Sequence, residues 1–229
     1  MQSLAEECGL TSSSVVADVG SGTGLLSKLL LESGCEVFGV EPNPEMRAAG
    51  EHYLHDYPRF HSVAGRAEET NLPAASVDAV LAAQAFHWFD PERTRHEFIR
   101  ILRSPGWVIL IWNQRLVSGS AFLEGYEQLL KHFAPEYEAV DHRRIDDDAI
   151  TGFFGHSHWR KIEFDNRQEF DLEGVQGRSR SASYTPPPGH PAHEQFMSEL
   201  ENLFQTTSRD GKVIFAYETN VYYGTLLPA

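Results

Sequence analysis

Residues 16 to 24 combine a buried-strand pattern with groups that could hold a ligand: Val16-Ala17-Asp18-Val19-Gly20-Ser21-Gly22-Thr23-Gly24. An apolar, β-branched run ends in an acid, and a glycine then occupies every second position. Glycines at that density let a ligand lie against the backbone at the carboxyl end of a strand, where Cβ atoms would block it. A second acid, Glu41, ends the next apolar run roughly twenty residues on, the position from which a carboxylate takes both hydroxyls of a ribose. The chemistry implied is recognition of a nucleoside. Spacing disfavours one nucleotide class and excludes another. A dinucleotide fingerprint, G-x-G-x-x-G, needs a small third residue, but Leu25 stands there and the last glycine comes one position early. No Lys-Ser or Lys-Thr follows the glycines, so this is not a triphosphate P-loop.

The elements that must position these residues alternate as strand and helix, the order of a parallel sheet with helices on both faces. Strands are expected at 15–19, 36–40, 60–63, 77–83 and 107–112, the fourth apolar on both sides as a central parallel strand should be. Helices are expected at 24–33, at 45–55 after the Asn43-Pro44 cap, and after the Asp90-Pro91 cap. Residues 3–9 read as the tail of a helix stopped by Gly9. In the second half the apolar spacing gives helices at 122–133, 137–151 and around 196–204, and strands at 159–170 and 213–226. Asp171 reads as a helix cap, and residues 181–191, with three consecutive prolines, as a loop. Asp146-Asp147-Asp148 point in three directions on a helix and read as a solvated face.

The chain has 229 residues, 41% hydrophobic and 23% charged, which fits one sizeable α/β domain. The formal charge of −14 and the lack of any basic stretch argue against a nucleic-acid partner. No apolar run approaches the roughly 20 residues of a membrane span, and the first residues carry no secretory pattern. Cys8 and Cys35 read as two reduced, packed thiols, which places the chain in a reducing cytoplasm. His156, His158, His190 and His193 lack the companions of a metal set, so no metal site is expected.

Four segments, in order over residues 10–113, together resemble class I S-adenosylmethionine-dependent methyltransferases of the type 11 group. They are the Asp18-to-Gly24 loop, Glu41-Pro42-Asn43-Pro44-Glu45-Met46, the turn from Gly65 to Pro73, and strand four with its Gln84-Ala85-Phe86-His87-Trp88-Phe89 tail. The Phe-His-Trp-Phe run is similar to that of trans-aconitate methyltransferases. The resemblance implies a Rossmann-like α/β fold, a seven-stranded, mostly parallel sheet with helices on both faces and one antiparallel strand near the C-terminus. It implies a single domain, with a cofactor-binding half at 1–113 and an acceptor-side half with helical insertions at 114–229. The cofactor implied is S-adenosyl-L-methionine, leaving as S-adenosyl-L-homocysteine. Its amino-acid and ribose part falls to Asp18, Gly20, Ser21 and Gly22, its ribose to Glu41 beside Pro42, and its adenine to the apolar wall of Met46 and to the backbone at Ala67 and Glu68. Gly24 lets the following helix pack close. Gln84 and Ala85 lie where the methyl group would be presented. Arg66 stands where the group has an acid, and one extra residue precedes Leu72-Pro73. Such proteins carry further helices before strand one, so a truncated or misassigned start and a more open cofactor site are expected.

Methyl transfer is a displacement at an already activated carbon, and needs a base only if the acceptor holds a proton at neutral pH. His87 is the candidate base, with a plain pocket wall as the alternative role. Trp88, Asn113, Arg178 and Tyr184 are the candidate acceptor contacts, with Arg180 and Ser183 in the same polar stretch; an arginine there could hold an acidic substrate. The reading is transfer of a methyl group to a small molecule, through a carboxylate or another oxygen or nitrogen nucleophile. The alternatives are a protein that binds S-adenosylmethionine or its product without transferring the methyl, and an NAD(P)-dependent oxidoreductase, which Leu25 and the missing Tyr-x-x-x-Lys disfavour.

Overall fold

A computed structural model of the chain describes residues 6–134, 137, 147–156, 158–182 and 184–226. The expected helix start at residues 3–5, most of the helix proposed for 137–151, Asp146 and Ser183 lie outside the described residues. Seven strands form one sheet: β1 (Val15–Val19), β2 (Glu36–Val40), β3 (Phe60–Val63), β4 (Val77–Ala83), β5 (Leu102–Arg115), β6 (Arg160–Phe170) and β7 (Val213–Gly224), in the order β3-β2-β1-β4-β5-β7-β6. The first five run parallel, with Val16 beside Val37 on one side and beside Ala79 on the other. The last pair is antiparallel. Leu116 donates its N–H to Ala216 at 2.8 Å, and nearer the start of β5 Trp107 meets Tyr223, so β7 runs against β5.

The chain divides into two compact units: 1–112 with 145–162 and 220–229, and 113–144 with 163–219. The sequence places its boundary at 113, and the first unit also takes back two later segments. They return because they carry apolar side chains for the first core: Ile150, Phe153 and Phe154 from one, Tyr222 and Leu226 from the other.

The first unit follows from strand alternation. Ala17, Val19, Val80, Ala82, Val108 and Leu110 enter one cluster, and Val16, Val37, Ala79, Leu81 and Ile109 the other. Both faces of the central strands are therefore buried, as a parallel sheet requires. Helix α1 (Leu25–Glu32) covers the second cluster with Leu30 and Leu31. Helix α2 (Pro44–Tyr53) starts where the Asn43 side chain accepts from the N–H groups of Glu45 and Met46. Helix α3 (Pro91–Ile101) starts where Asp90 accepts from the N–H of Arg93, and it buries Phe98 and Ile101 in the first cluster. Cys8 and Cys35 are buried free thiols, and burial pushes the Cys8 thiol up to about 12.

In the second unit α4 (Ala121–Phe133), α6 (Leu172–Arg180) and α7 (His193–Thr207) enclose a core of Phe122, Tyr126, Leu130, Val175, Phe196, Leu200 and Phe215. Asp171 caps α6, accepting from the N–H of Gly174 at 2.9 Å. In the first unit α5 (Asp147–Phe154) begins with exposed Asp147 and Asp148 and runs three residues past the expected end, because Phe153 and Phe154 are core residues. Strand β5 begins at Leu102, five residues earlier than expected: Leu102 pairs with Val77 and Trp107 with Ala79, so a register shift absorbs the intervening Arg103-Ser104-Pro105-Gly106. Among the described residues no helix is long and apolar enough to cross a membrane.

Candidate functional site

The glycine loop between β1 and α1 is tied to the end of β2. The N–H groups of Gly20 and Ser21 both reach the carbonyl of Val40, at 2.8 and 3.2 Å, and the N–H of Gly22 donates to Oε2 of Glu41 at 2.9 Å. Gly20 has φ +72°, and a Cβ there would stand 2.5 Å from Cβ of Ala85, in the loop after β4. Those two loops meet where the strand order reverses between β1 and β4, the switch point at which open α/β sheets take their ligands. Gly24 has φ +86°, and a Cβ there would stand 2.7 Å from Leu54, so its lack of a side chain is what lets α1 begin so close to the end of α2.

A cleft of about 720 Å³ opens over this switch point, lined by residues of the first unit. Of the expected cofactor residues, Gly20, Gly22, Glu41, Pro42, Met46, Ala67, Glu68, Gln84 and Ala85 line it. Asp18 and Ser21 do not. Asp18 is 1% exposed and accepts the Ser27 hydroxyl at 2.6 Å, which pins α1 to the end of β1. Burial pushes its carboxyl up to about 6, against the bond from Ser27. The Ser21 hydroxyl stands 3.2 Å from where a Gly39 Cβ would be, on β2.

Glu41 is 6% exposed, and each oxygen already accepts one backbone N–H, Oε2 from Gly22 and Oε1 from Asn43 at 2.8 Å. A carboxylate offers about four lone-pair sites, so two remain for a ligand. Met46 is set in place by the Asn43 cap, with its Cε 3.5 Å from where a Gly22 Cβ would be.

The turn bearing Ala67 and Glu68 is held from both ends. Arg66 and Glu69 exchange backbone hydrogen bonds at 3.0 and 3.1 Å, and Glu68 Oε1 accepts the N–H of Asp90 at 2.8 Å. Oε1 of Glu97 on α3 takes both the N–H and the hydroxyl of Thr70. Arg100 donates to Glu97 and to the Leu72 carbonyl, the latter at 2.8 Å. Burial raises the Glu97 carboxyl, but the hydrogen bonds from Arg100 and Thr70 outweigh it and bring it down to about 2. The extra residue before Leu72-Pro73 is absorbed by Asn71, at φ +62°.

Beside Arg66 and Glu69 of that turn, sequence reasoning missed Phe89, Asp90 and Arg93 as lining residues. The available signal was the Asp90-Pro91 cap, which puts the first turn of α3 directly after the β4 loop. Four carboxylates (Glu41, Glu68, Glu69, Asp90) and two guanidiniums (Arg66, Arg93) line the cleft, a balance that favours a cationic ligand. Trp88, 72% exposed, is part of the wall. His87 is not: the turn at Phe86–Trp88 directs its ring edge-on to Trp112, with centroids 5.0 Å apart. Asn113, Arg178 and Tyr184 belong to the second unit. Asn113 accepts the hydroxyl of Thr219 at 2.5 Å, while Arg178 and Tyr184 lie in one group of tyrosines and arginines.

A seven-stranded sheet with an antiparallel C-terminal pair, and a glycine loop facing a buried acid at the switch point, define a Rossmann-like α/β fold. Residues 17–110 match the type 11 family described as "Methyltransferase domain". The chain is 46% identical over 104 residues to an uncharacterized methyltransferase of Mycobacterium tuberculosis, a match covering 44% of this chain and 40% of that protein. It is 33% identical over 113 residues to an uncharacterized methyltransferase-like protein of Schizosaccharomyces pombe, covering 49% and 43%. The chain thus spans less than half the length of these curated relatives. Among solved structures, one assigned as a type II methyltransferase from Anaeromyxobacter dehalogenans superposes with a TM-score of 0.64 at 20% identity, covering 100% of this chain and 97% of that one. A SAM-dependent methyltransferase from Aquifex aeolicus gives 0.55 at 13% identity, covering 97% and 87%.

Proposed function

We propose that this protein transfers a methyl group from S-adenosyl-L-methionine to a small-molecule acceptor. The observation that carries the reading is Glu41: a buried carboxylate fixed by two backbone N–H groups, with lone pairs left over at a cleft whose floor is glycine backbone. Bound there, the cofactor supplies a methyl group already activated by its sulfonium.

The chain's own residues bind and orient. Glu41 accepts the ribose hydroxyls. Gly20 and Gly22 let the ligand approach the backbone, Met46 covers the adenine, and Ala67 and Glu68 present the turn that reads its edge. The excess of carboxylates in the lining suits a ligand bearing sulfonium and ammonium charge. Gln84 and Ala85 flank the methyl, and Trp88 shields it from water. His87 faces Trp112 instead of the cleft, so it is assigned a packing role and not that of a base, and the acceptor is one whose nucleophile is ionised, such as a carboxylate.

Calorimetric titration with S-adenosylhomocysteine tests the first step. Micromolar affinity, about −8 kcal/mol, lost at least tenfold in Glu41→Gln, is expected; equal affinity in the two proteins overturns the assignment of Glu41. Release of S-adenosylhomocysteine from labelled cofactor, across a panel of carboxylates, phenols and amines, separates transfer from binding alone.

A further inference from the structure

The second unit holds two arginines in very different situations. Arg115 is compensated: its Nη2 reaches Oε2 of Glu127 at 2.5 Å, with the side chains 8% and 11% exposed. The Tyr137 hydroxyl joins the same pair, 2.8 Å from each partner, and Lys131 adds a second cation 3.6 Å from Oε1 of Glu127. The guanidinium of Arg115 stands over the Tyr126 ring, 5.1 Å from its centroid.

Arg178, on α6, has no counter-ion among the described residues. It is half-buried, and its Nε donates to the hydroxyl of Tyr217 at 3.2 Å. Its other close electrostatic neighbours are Tyr184 and Tyr126, with Tyr184 packed against Tyr137 at 5.1 Å. Phenols are neutral at pH 7. Among the described residues no carboxylate lies within ion-pair reach of Arg178, in a chain that carries 33 acids against 19 lysines and arginines. A guanidinium taken partly out of water without a counter-ion is costly. With Nε held by Tyr217, both Nη groups are open among the described residues as a planar fork, the shape that pairs with a carboxylate through two parallel hydrogen bonds.

We propose that Arg178, together with Tyr217 and Tyr184, is a binding site in the second unit for the carboxylate of a small molecule. One open guanidinium balances one negative charge. A phosphate dianion would need a second cation, and both Arg115 and Lys131 are already engaged by Glu127. The site stands independently of the methyl-transfer reading.

The test titrates the full chain with succinate, citrate and inorganic phosphate at low salt, in wild type, Arg178→Gln and Arg178→Lys. Saturable binding of succinate or citrate is expected, weakened about tenfold or more in Arg178→Gln and less in Arg178→Lys, which keeps the charge but loses the fork. Melting supplies a second readout. Without carboxylate, Arg178→Gln should melt no lower than wild type, and added carboxylate should raise only the wild-type midpoint. A lower midpoint for Arg178→Gln in carboxylate-free buffer would make Arg178 a structural residue and overturn the proposal. So would equal carboxylate binding in the two proteins, binding of phosphate alone, or no binding at all. Methyl label from the cofactor appearing on the bound carboxylate identifies it as the acceptor; binding without label identifies a carboxylate that is held and not methylated. Loss of S-adenosylhomocysteine binding in wild type would count against the function proposed above and leave this site untouched.

Discussion

Glu97, in the second turn of α3, holds Thr70 by both its N–H, at 2.8 Å, and its hydroxyl, at 2.5 Å, so the helix after the β4 loop fixes the turn after β3. That turn carries Ala67 and Glu68, two residues of the cleft wall, and Arg100 fastens its far end at Leu72. Replacing Glu97 with alanine strands the Thr70 donors and the Arg100 charge. The expected cost is about 2 kcal/mol of stability, with S-adenosylhomocysteine affinity reduced severalfold. Thr70→Val should lose less stability and a similar share of affinity. The pH dependence has a definite sign. A carboxyl lowered to about 2 in the folded state stabilises the protein above its unfolded value near 4.5, and that stabilisation is lost as the pH falls toward 2. Denaturant titration of wild type and Glu97→Gln at pH 7 and pH 3 should show the gap between them narrowing at the lower pH.

Asp18 has the opposite sign. Its carboxyl lies near 6 in the folded protein against 3.8 unfolded, because burial disfavours its charge. Below 3.8 it is protonated in both states and has no effect. As the pH rises to 6 the folded state keeps a proton that the unfolded state releases, and stability falls, by on the order of 2–3 kcal/mol. Asp18→Asn keeps an oxygen for the Ser27 hydroxyl and removes the titration. Its stability relative to wild type should rise between pH 4 and pH 7, read by thermal melts across that range. Its affinity for S-adenosylhomocysteine should stay within about threefold of wild type. A tenfold loss would instead mean that Asp18 reaches the cofactor amino group, as the sequence resemblance implies.

How much of this the sequence could tell depended on whether the cause was local. β4 at Val77–Ala83 was legible residue for residue as a run that is apolar but for Asp78, and β3 at Phe60–Val63 as a short stretch with Phe60 and Val63 at its ends. The starts of α2 and α3 were legible because Asn43-Pro44 and Asp90-Pro91 are caps acting on the next three residues. Glu41 was legible as a carboxylate ending a strand at a fixed distance from the glycines. What stayed hidden depends on residues far apart in the chain. The bond from Thr70 to Glu97 spans 27 positions, and the pairing of Arg115 with Glu127, which leaves Arg178 without a carboxylate among the described residues, cannot be read from spacing. The early start of β5 was masked by Pro105-Gly106, which reads as a turn. His87 and Trp88 are adjacent, and only the turn they share decides which of them faces the cleft.

Gly20 and Ala85 make a steric pair. A methyl group added at Gly20 would sit 2.5 Å from the Ala85 Cβ, and φ +72° is unfavourable for any residue with a Cβ. Gly20→Ala should lose about 2 kcal/mol or more of stability, together with measurable S-adenosylhomocysteine binding. Adding Ala85→Gly removes the clash but not the backbone strain, so the double variant should recover part of the stability and remain below wild type. Full recovery would show that the clash alone requires glycine at position 20; no recovery would show that the φ angle does.

Trp88 and His87 are adjacent in sequence and should behave differently on substitution. Trp88 is largely exposed at the cleft wall, so Trp88→Ala should change stability by no more than about 0.5 kcal/mol. The wall it forms would be breached, and turnover on any acceptor should fall through a higher KM for that acceptor, with S-adenosylhomocysteine affinity reduced only severalfold. His87→Phe keeps the ring that packs on Trp112 and removes the imidazole nitrogens. If His87 only packs on Trp112, kcat should change by less than about threefold and the pH–rate profile should keep its shape. A fall in kcat of about a hundredfold or more, with loss of an acid limb near the ordinary imidazole pKa of about 6.5, would make His87 a general base. Its ring would then have to turn away from Trp112 when the ligands bind.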